Sequence, residues 1–137
     1  IGKSKELYVA TLLVARHLHV YFPLVDTGFD LVAVSADGKT FIPIQVKYKQ
    51  TRTGFTLSRQ DAEKFKNCNA VLAFGSGSAE IDNFYFFPSS EWAQRYEDRG
   101  RADDRVVVYL SKHQDWAERY RGNAGLDKTF CALQSDS

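Results

Sequence analysis

The sequence predicts an α/β sandwich built on a mixed sheet. Three observations indicate this class. The 137 residues are 44% hydrophobic and 14% aromatic, apolar residues recur at helical spacing near the start, and runs of strand length alternate with helical segments further on. The predicted order is a helix, three strands, a helix, two strands, a helix, a strand and a final helix. A chain of this length fits a single domain over 1–137 with a sizeable core.

The first predicted element is a helix over Lys3–His19, which contains no Gly or Pro. Its apolar stripe consists of Leu7, Val9, Ala10, Leu13, Val14 and Leu18. Glu6 lies near the start of this stripe, one turn before Val9, Ala10 and Leu13. Because the helix dipole also favours an acid in the first turn, Glu6 has a structural interpretation beside a role in a site. A short strand at 20–24 and a turn at 25–28 follow.

A β-hairpin comes next, formed by the β-branched runs Phe29–Ser35 and Thr40–Tyr48 around an Asp-Gly turn. If that dipeptide supplies both loop residues, Asp30 lies directly opposite Gln45. Lys47 shares the face of Gln45, because side chains alternate along a strand with a period of two. A carboxylate, an amide oxygen and an ammonium group therefore converge on otherwise apolar strands.

Pro43 is the residue that fits this hairpin least. In the predicted register it falls in a hydrogen-bonded pair, which proline cannot complete because it has no N–H. A β-bulge or a two-residue shift of register would remove the conflict.

The second helix is predicted over Arg59–Asn67, since Ser58 is a good N-cap residue and Asp61 follows three positions later. The later elements are strands at 70–74 and 84–87, a helix at 89–96, a charged connector at 99–104, a strand at 106–110 and a helix at 112–121. From Gly122 onward we expect little regular structure, although Phe130, Cys131 and Leu133 could dock on the body. We divide the domain into a core of about 1–88 and a C-terminal extension of about 89–137.

Bulk charge does not indicate a nucleic-acid partner, because 18 Lys and Arg balance 17 Asp and Glu. Cys68 and Cys131 lack metal-ligand spacing and favour a reducing, intracellular location, although they could also form one disulfide. The longest apolar run, Leu7–Ala15, is far shorter than the ~20 residues that a membrane span needs, so we expect no membrane contact. The chain begins with Ile1, and we expect a few residues to precede it.

The polar residues of the hairpin suit a magnesium site, since Mg²⁺ prefers oxygen ligands and often uses one or two carboxylates with substrate phosphate. Asp30, the Gln45 side-chain oxygen and the Val46 backbone carbonyl are the predicted ligands, with Glu6 as a second acid. Lys47 would hold the attacking hydroxide or neutralise charge that builds on a phosphate. This chemistry is metal-assisted hydrolysis of a phosphodiester, with Mn²⁺ expected to replace Mg²⁺.

The helix that carries Glu6, the segments Gly28–Ala33 and Ile44–Lys47, and the helix after Ser58 together resemble the PD-(D/E)XK nuclease superfamily. That superfamily includes restriction enzymes, Holliday-junction resolvases and some homing endonucleases. The resemblance is strongest to the homing-endonuclease branch, in which Gln replaces the acid before the Lys. It implies a restriction-endonuclease-like core of a helix, a three-stranded antiparallel meander, a helix and a strand, followed by a C-terminal strand and helix extension.

Carried over by position, the resemblance makes Asp30 the metal-binding acid, Gln45 the variable acid, Lys47 the catalytic lysine and Glu6 the acid of the first helix. The chain departs from the pattern in two ways. No Pro-Asp pair precedes the hairpin, and the neutral Gln45 removes one formal charge from the metal site.

The implied activity is that of a Mg²⁺-dependent DNA endonuclease, and the residues themselves do not distinguish DNA from RNA. Basic residues on the flanking elements would bind phosphates. They are Lys49, Arg52, Arg59 and Lys64. A homodimer or higher homo-oligomer would supply one site for each strand of a duplex.

Two alternatives compete with this interpretation. Asp30 and Lys47 could form a partly buried ion pair across the hairpin, with Gln45 hydrogen-bonded beside them. The domain could also be a nuclease-like fold that has lost strong metal binding and serves to bind nucleic acid or protein, as the neutral Gln45 would allow.

Overall fold

The structure, a computed structural model, describes residues 2–25, 28–98 and 104–134. The helices in these ranges are α1 (Gly2–Val14), α2 (Arg59–Lys66), α3 (Ser89–Trp92), α4 (Gln114–Glu118) and α5 (Gly122–Gln134). The strands are β1 (His19–Tyr21), β2 (Leu31–Val34), β3 (Phe41–Lys49), β4 (Gly54–Ser58), β5 (Val71–Ser76), β6 (Phe84–Pro88), β7 (Glu97–Asp98) and β8 (Arg105–Tyr109). In the described part of the chain, no helix has the length and apolar character needed to cross a bilayer.

The main sheet has five strands in the order β1-β2-β3-β5-β6. Strands β1, β2 and β3 form an antiparallel meander, β5 runs parallel to β3, and β6 returns antiparallel to β5. A second sheet has the order β4-β8-β7 and is antiparallel throughout. The predicted mixed α/β class and the predicted meander are both confirmed.

The main sheet is buried on both faces, which explains why β5 and β6 are continuously apolar. Side chains on one face of the sheet, such as Ala73 and Phe86, pack with residues of α1 and α5. Those on the other face, such as Phe74 and Phe87, pack with α2, α3 and the second sheet. Each face of the sheet therefore has its own hydrophobic cluster, and the two clusters lie on opposite sides of β3.

The hairpin has the predicted opposite pairs, with Leu31 opposite Ile44 and Val32 opposite Pro43. The loop is longer than predicted, because the closing hydrogen bond runs from the Ser35 N–H to the Thr40 carbonyl at 2.9 Å. This bond makes the pairs at odd positions of β2 the hydrogen-bonded ones, so Pro43 falls in a non-hydrogen-bonded pair. Pro43 also precedes Ile44, the first residue of β3 that pairs with β5. Its missing N–H therefore interrupts neither ladder, and the pairs from Leu31–Ile44 to Val34–Phe41 run without the expected bulge or register shift.

Helix α1 ends at Val14, five residues before the predicted end. His17 adopts a left-handed conformation with φ of 66°. Its N–H donates to the Val14 carbonyl at 2.9 Å, and the Leu18 N–H donates to the Leu13 carbonyl at 3.3 Å. These are the two bonds of a Schellman motif, which is usually formed with Gly in place of His17. The helix was predicted to extend to His19 because Leu18 continues the apolar pattern, and Leu18 is indeed buried in the same cluster as Val9 and Leu13.

The C-terminal part is more regular than predicted. Helix α5 buries Leu126, Phe130 and Leu133, a helical spacing that was present in the sequence, whereas Cys131 is exposed rather than docked. Strands β4 and β7 were not predicted, because each is short and gains its hydrogen bonds from β8, which is distant in sequence. The middle of the predicted turn at 25–28 and most of the predicted connector at 99–104 lie outside the described residues.

Candidate active site

The predicted site residues Gln45 and Lys47 lie on the face of β3 that is covered by α2 and the second sheet. Ile42 and Ile44 belong to the cluster beneath α1, and strand alternation turns Gln45 and Lys47 the other way. Their partners across the parallel ladder, Leu72 and Phe74, are members of the cluster on the α2 face. The structure therefore confirms that Gln45 and Lys47 share a face of the sheet.

Asp30 lies just beyond the end of the β2–β3 ladder, which stops at the pair Leu31–Ile44. Its N–H donates to the Ile44 carbonyl at 2.9 Å, and its Oδ2 accepts a hydrogen bond from the Val46 N–H at 2.7 Å. Asp30 is thus fixed beside the segment that contains Gln45 and Lys47, although it is not a ladder partner of Gln45. Beyond the last backbone pair of the ladder, the Asp30 carboxylate takes the place of a backbone acceptor for the Val46 N–H.

Asp30 and Gln45 line an open cleft with a volume of about 510 Å³. The other residues of its wall are Gly28, Gln60, Asp61 and Lys64. Gly28 has φ of +86°, and a Cβ at this position would lie 2.9 Å from Lys64 Nζ and 3.9 Å from Asp61 Oδ1. The absent side chain of Gly28 therefore leaves room for two charged groups of α2 to approach the start of the hairpin. From the sequence, Asp61 was expected only to take part in capping α2, and neither Gln60 nor Gly28 was predicted to belong to the metal site.

The Gln45 Oε1 atom is buried and has no hydrogen-bond partner among the described residues. Buried acceptors in folded proteins are nearly always paired, so an orphaned one calls for an explanation. Gln45 lines the same cleft as Asp30, and an amide oxygen together with a carboxylate is a suitable pair of ligands for a hard divalent cation. The residues present therefore fit the cation that the sequence analysis predicted.

Lys47 is partly buried, and burial lowers the pKa of its ammonium below the ordinary value. The negative charges of Asp61 and Asp30 oppose this shift, whereas Arg105 and Lys49 add to it. The Asp30 Oδ2 accepts a hydrogen bond from the Val46 N–H, and no salt bridge joins the described residues Asp30 and Lys47, whose charges interact at longer range. The interpretation of these residues as a simple ion pair is therefore not supported.

Glu6 lies on α1, which packs on the opposite face of the sheet from Gln45 and Lys47. Its side chain is 20% exposed, and Oε1 lies 3.6 Å from Lys3 Nζ. Burial, followed by the charge of Asp30, raises the pKa of the Glu6 carboxyl, while Lys3 opposes the shift. Glu6 is therefore close enough to sense Asp30, but it is not part of the cleft wall.

The raised pKa of Glu6 predicts a pH-dependent cost to folding. Below the unfolded-state value of 4.5 the carboxyl is protonated in both states and costs nothing. As pH rises through the higher folded-state pKa, the buried charge destabilises the metal-free fold. We expect Glu6→Gln to increase the free energy of unfolding at pH 7 and to leave it nearly unchanged at pH 4, as measured by urea denaturation. An equal difference at both pH values would contradict this assignment.

The four predicted phosphate-binding residues are dispersed. Lys64 lies at the cleft, with Nζ 4.9 Å from the centre of the Phe29 ring. Lys49 is exposed at the end of β3. Arg59 forms salt bridges with Asp98 and with Asp104, the second at 3.8 Å.

Arg52 makes its contacts away from the cleft. Its Nε donates to Ser76 Oγ at 3.2 Å, and its guanidinium lines a separate cavity of about 380 Å³ beside Tyr85 and Glu118. Lys64 is therefore the one predicted cation that the structure places in the cleft wall.

Within residues 2–25, 28–98 and 104–134, no three His, Cys, Asp or Glu side chains converge closely enough to form a metal cluster. A cation in the cleft would consequently depend on the mixed set of carboxylate and amide oxygens, which carries less negative charge than a cluster of acids.

No family model and no curated protein sequence matches this chain. Solved structures do resemble it. The Holliday junction resolvase Hjc of the hyperthermophilic archaeon Archaeoglobus fulgidus superposes with a TM-score of 0.63 at 19% identity, over 93% of this chain and 95% of that chain. The bacterial homing endonuclease I-Ssp6803I superposes with a TM-score of 0.59 at 17% identity, over 99% of this chain and 96% of that chain.

These likenesses show the fold. The chain shares the mixed α/β fold of these two structures, which is the restriction-endonuclease-like fold that the resemblance of the hairpin segments implied.

Proposed function

We propose that this domain is a divalent-metal-dependent endonuclease that hydrolyses phosphodiester bonds of DNA at the cleft between the β2–β3 hairpin and α2. The observation that carries the proposal is the buried Oε1 of Gln45, which has no hydrogen-bond partner among the described residues and belongs to a residue that lines the same cleft as Asp30. The fold supports it, because the similar structures are those of a Holliday junction resolvase and a homing endonuclease.

In this proposal, Asp30 and Gln45 hold the cation with the Val46 carbonyl, and Glu6 adds negative charge from α1. A bound Mg²⁺ or Mn²⁺ would polarise the phosphate as a Lewis acid. The hydrogen bond from the Val46 N–H fixes the orientation of the Asp30 carboxylate before any ligand arrives. No large rearrangement of the hairpin is then needed to form the site.

Lys47 supplies the positive charge of the reaction. Its ammonium lies on the same face of β3 as Gln45 and is partly withdrawn from water, so its interaction with charge developing on a phosphate is strengthened. Burial lowers the pKa of this ammonium, while the Asp61 and Asp30 carboxylates favour its charged form, in which it can hold an attacking hydroxide by charge and hydrogen bonding. These two properties are the ones expected of a catalytic lysine.

DNA is the proposed partner, bound through Lys64 at the cleft and Lys49 at the strand end. Cutting both strands of a duplex takes two sites, so we propose that a second copy of the chain supplies the other. An enzyme of this type acts where DNA is found, which agrees with the intracellular location expected from the cysteines.

A second candidate function is a DNA-binding module without hydrolytic activity. The observation that favours it is the neutral Gln45 together with the lack of a three-acid cluster among the described residues. In this case the cleft would bind a phosphate backbone, with Lys64 as the cation of its wall and Lys47 as a second cation on the same face of β3.

Nicking of a supercoiled plasmid in Mg²⁺, Mn²⁺ or EDTA tests the proposal. We expect the parent protein to nick the plasmid with either metal and to be inactive in EDTA. Asp30→Asn should reduce nicking to background while DNA binding persists, because it removes the charged ligand but retains the shape of the side chain. Asp115→Asn, on the exposed surface of α4, serves as the matched control and should remain active.

Nicking that persists in Asp30→Asn would refute the site. A protein that binds DNA but does not nick it with either metal would establish the second candidate in place of the first.

A further inference from the structure

We propose that Asp61 of α2 is the second carboxylate of the site and supplies the negative charge that Gln45 lacks. The inference rests on the proposed function and names a residue that the resemblance to known nucleases does not indicate. Its starting point is the arrangement of the cleft wall, where Asp30 and Asp61 are the carboxylates and Gln45 and Gln60 the side-chain amides.

The face of the sheet decides between the two candidate acids. Gln45 and Lys47 lie on the face covered by α2, whereas α1 packs on the opposite face with the cluster that contains Ile44. Glu6 can therefore reach the site only around the end of the hairpin, near Asp30. Asp61 approaches the same cleft directly, with Oδ1 3.9 Å from the position of a Gly28 Cβ.

The position of Asp61 is fixed by the helix and not by a salt bridge. Ser58 caps α2 and accepts a hydrogen bond from the Asp61 N–H at 3.0 Å, while the buried side chains of Ala62 and Phe65 anchor the helix in the core. The Asp61 carboxylate forms no salt bridge with the described residues. Among the described residues, the charge of Lys47 acts on Asp61 without a direct salt bridge, so the carboxylate can approach a cation in the cleft.

Electrostatics support the same assignment. Among the charges that act on Lys47, the carboxylate of Asp61 has the largest stabilising effect on the ammonium, ahead of Asp30. Asp61 thus lies close to the group that the proposed function makes catalytic. Asp30 and Asp61 would carry two negative charges on the two sides of the cleft, one from the hairpin and one from α2.

Calorimetric titration of Mn²⁺ into the metal-free protein tests the inference without relying on activity. We expect Asp61→Asn to weaken Mn²⁺ binding by at least about tenfold, the scale on which loss of a supporting group lowers metal affinity. Glu63→Gln is the matched control, because Glu63 is an exposed acid on the same helix, and it should bind Mn²⁺ like the parent.

A double variant separates a charge role from a structural one. Adding Gln45→Glu to Asp61→Asn returns a carboxylate to the cleft from the other side, and we expect Mn²⁺ affinity to recover to within about threefold of the parent. Thermal unfolding of each variant identifies any loss of the fold. If the double variant does not fold, Asp61→Glu takes its place, and it should retain most of the affinity that Asp61→Asn loses.

Unchanged Mn²⁺ affinity in Asp61→Asn, with metal-dependent nicking still present in the parent, would overturn this inference and leave the proposed function standing. Weak binding in Asp61→Asn that no added carboxylate restores would also overturn it. A parent protein that neither binds Mn²⁺ nor nicks DNA would refute the proposed function together with the inference.

Discussion

Replacement of Lys47 by Met is expected to reduce metal-dependent plasmid nicking by at least about 100-fold, which is the loss seen when one charge-stabilising donor is removed from a preorganised site. Met retains the length and apolar stem of the side chain but has no ammonium to stabilise charge on the phosphate. DNA binding should change little, because Lys49 and Lys64 remain. Single-turnover nicking rates and a gel-shift measurement of DNA affinity separate the two effects.

The control is Lys39→Met, since Lys39 is exposed in the hairpin loop at the far end from the cleft. It should nick at the parental rate. A Lys47→Met protein that nicks within a few-fold of the parent would remove Lys47 from the reaction, and an equal loss in both variants would indicate a general effect of charge on DNA binding.

The same variant has a stability signature. Because burial lowers the pKa of Lys47 below its unfolded-state value of 10.5, the protonated ammonium destabilises the metal-free fold, and this cost is complete below the folded-state pKa. The cost disappears as pH rises towards the unfolded-state value. Lys47→Met should therefore unfold at higher denaturant than the parent at pH 7, and the difference should narrow at pH 10.

Truncation of Phe55 to Ala has the largest expected effect on stability. Phe55 lies on β4, is 0% exposed, and contacts Phe74 and Phe87 of the main sheet and Trp92 of α3, with ring centres 5.6, 5.8 and 6.4 Å away. It is where the second sheet docks on the first. Loss of a buried Phe costs about 3–5 kcal/mol, a large part of the 5–15 kcal/mol that stabilises a typical domain.

Urea denaturation of Phe55→Ala measures this loss, with Phe41→Ala as the matched control. Phe41 is 58% exposed on β3, so its truncation should change the free energy of unfolding by less than about 0.5 kcal/mol. Similar losses in the two variants would mean that the contact between the sheets contributes no more than an exposed ring.

The hairpin could be predicted from the sequence because its information is local. The alternation of apolar and polar residues places Gln45 and Lys47 on one face whatever the remainder of the chain does, and the Asp-Gly turn sets the opposite pairs. Which of these opposite pairs exchange hydrogen bonds depends on the length of the loop, and the structure shows a loop longer than two residues. For this reason we expected Pro43 to require a bulge or a register shift, whereas it lies in a non-hydrogen-bonded pair of a regular ladder.

Other parts depended on partners distant in sequence. Strand β4 has only the three strand-type residues Phe55, Thr56 and Leu57 after a polar loop, and its hydrogen bonds come from β8, which is distant in sequence. The end of α1 depends on His17 in a conformation that Gly usually adopts, so no residue type marked it.

The sequence by itself determined the polar set of the hairpin, Asp30, Gln45 and Lys47, and the α/β class that surrounds it. Only the tertiary structure decided which helix faces that set. Period-two alternation specifies that Gln45 and Lys47 point together, but which layer covers their side of the sheet depends on how distant apolar residues pack. The structure packs α1 on one face and α2 on the other, and we therefore propose Asp61 in place of Glu6 as the second carboxylate, because Asp61 lines the cleft with Asp30 and Gln45 and Glu6 does not.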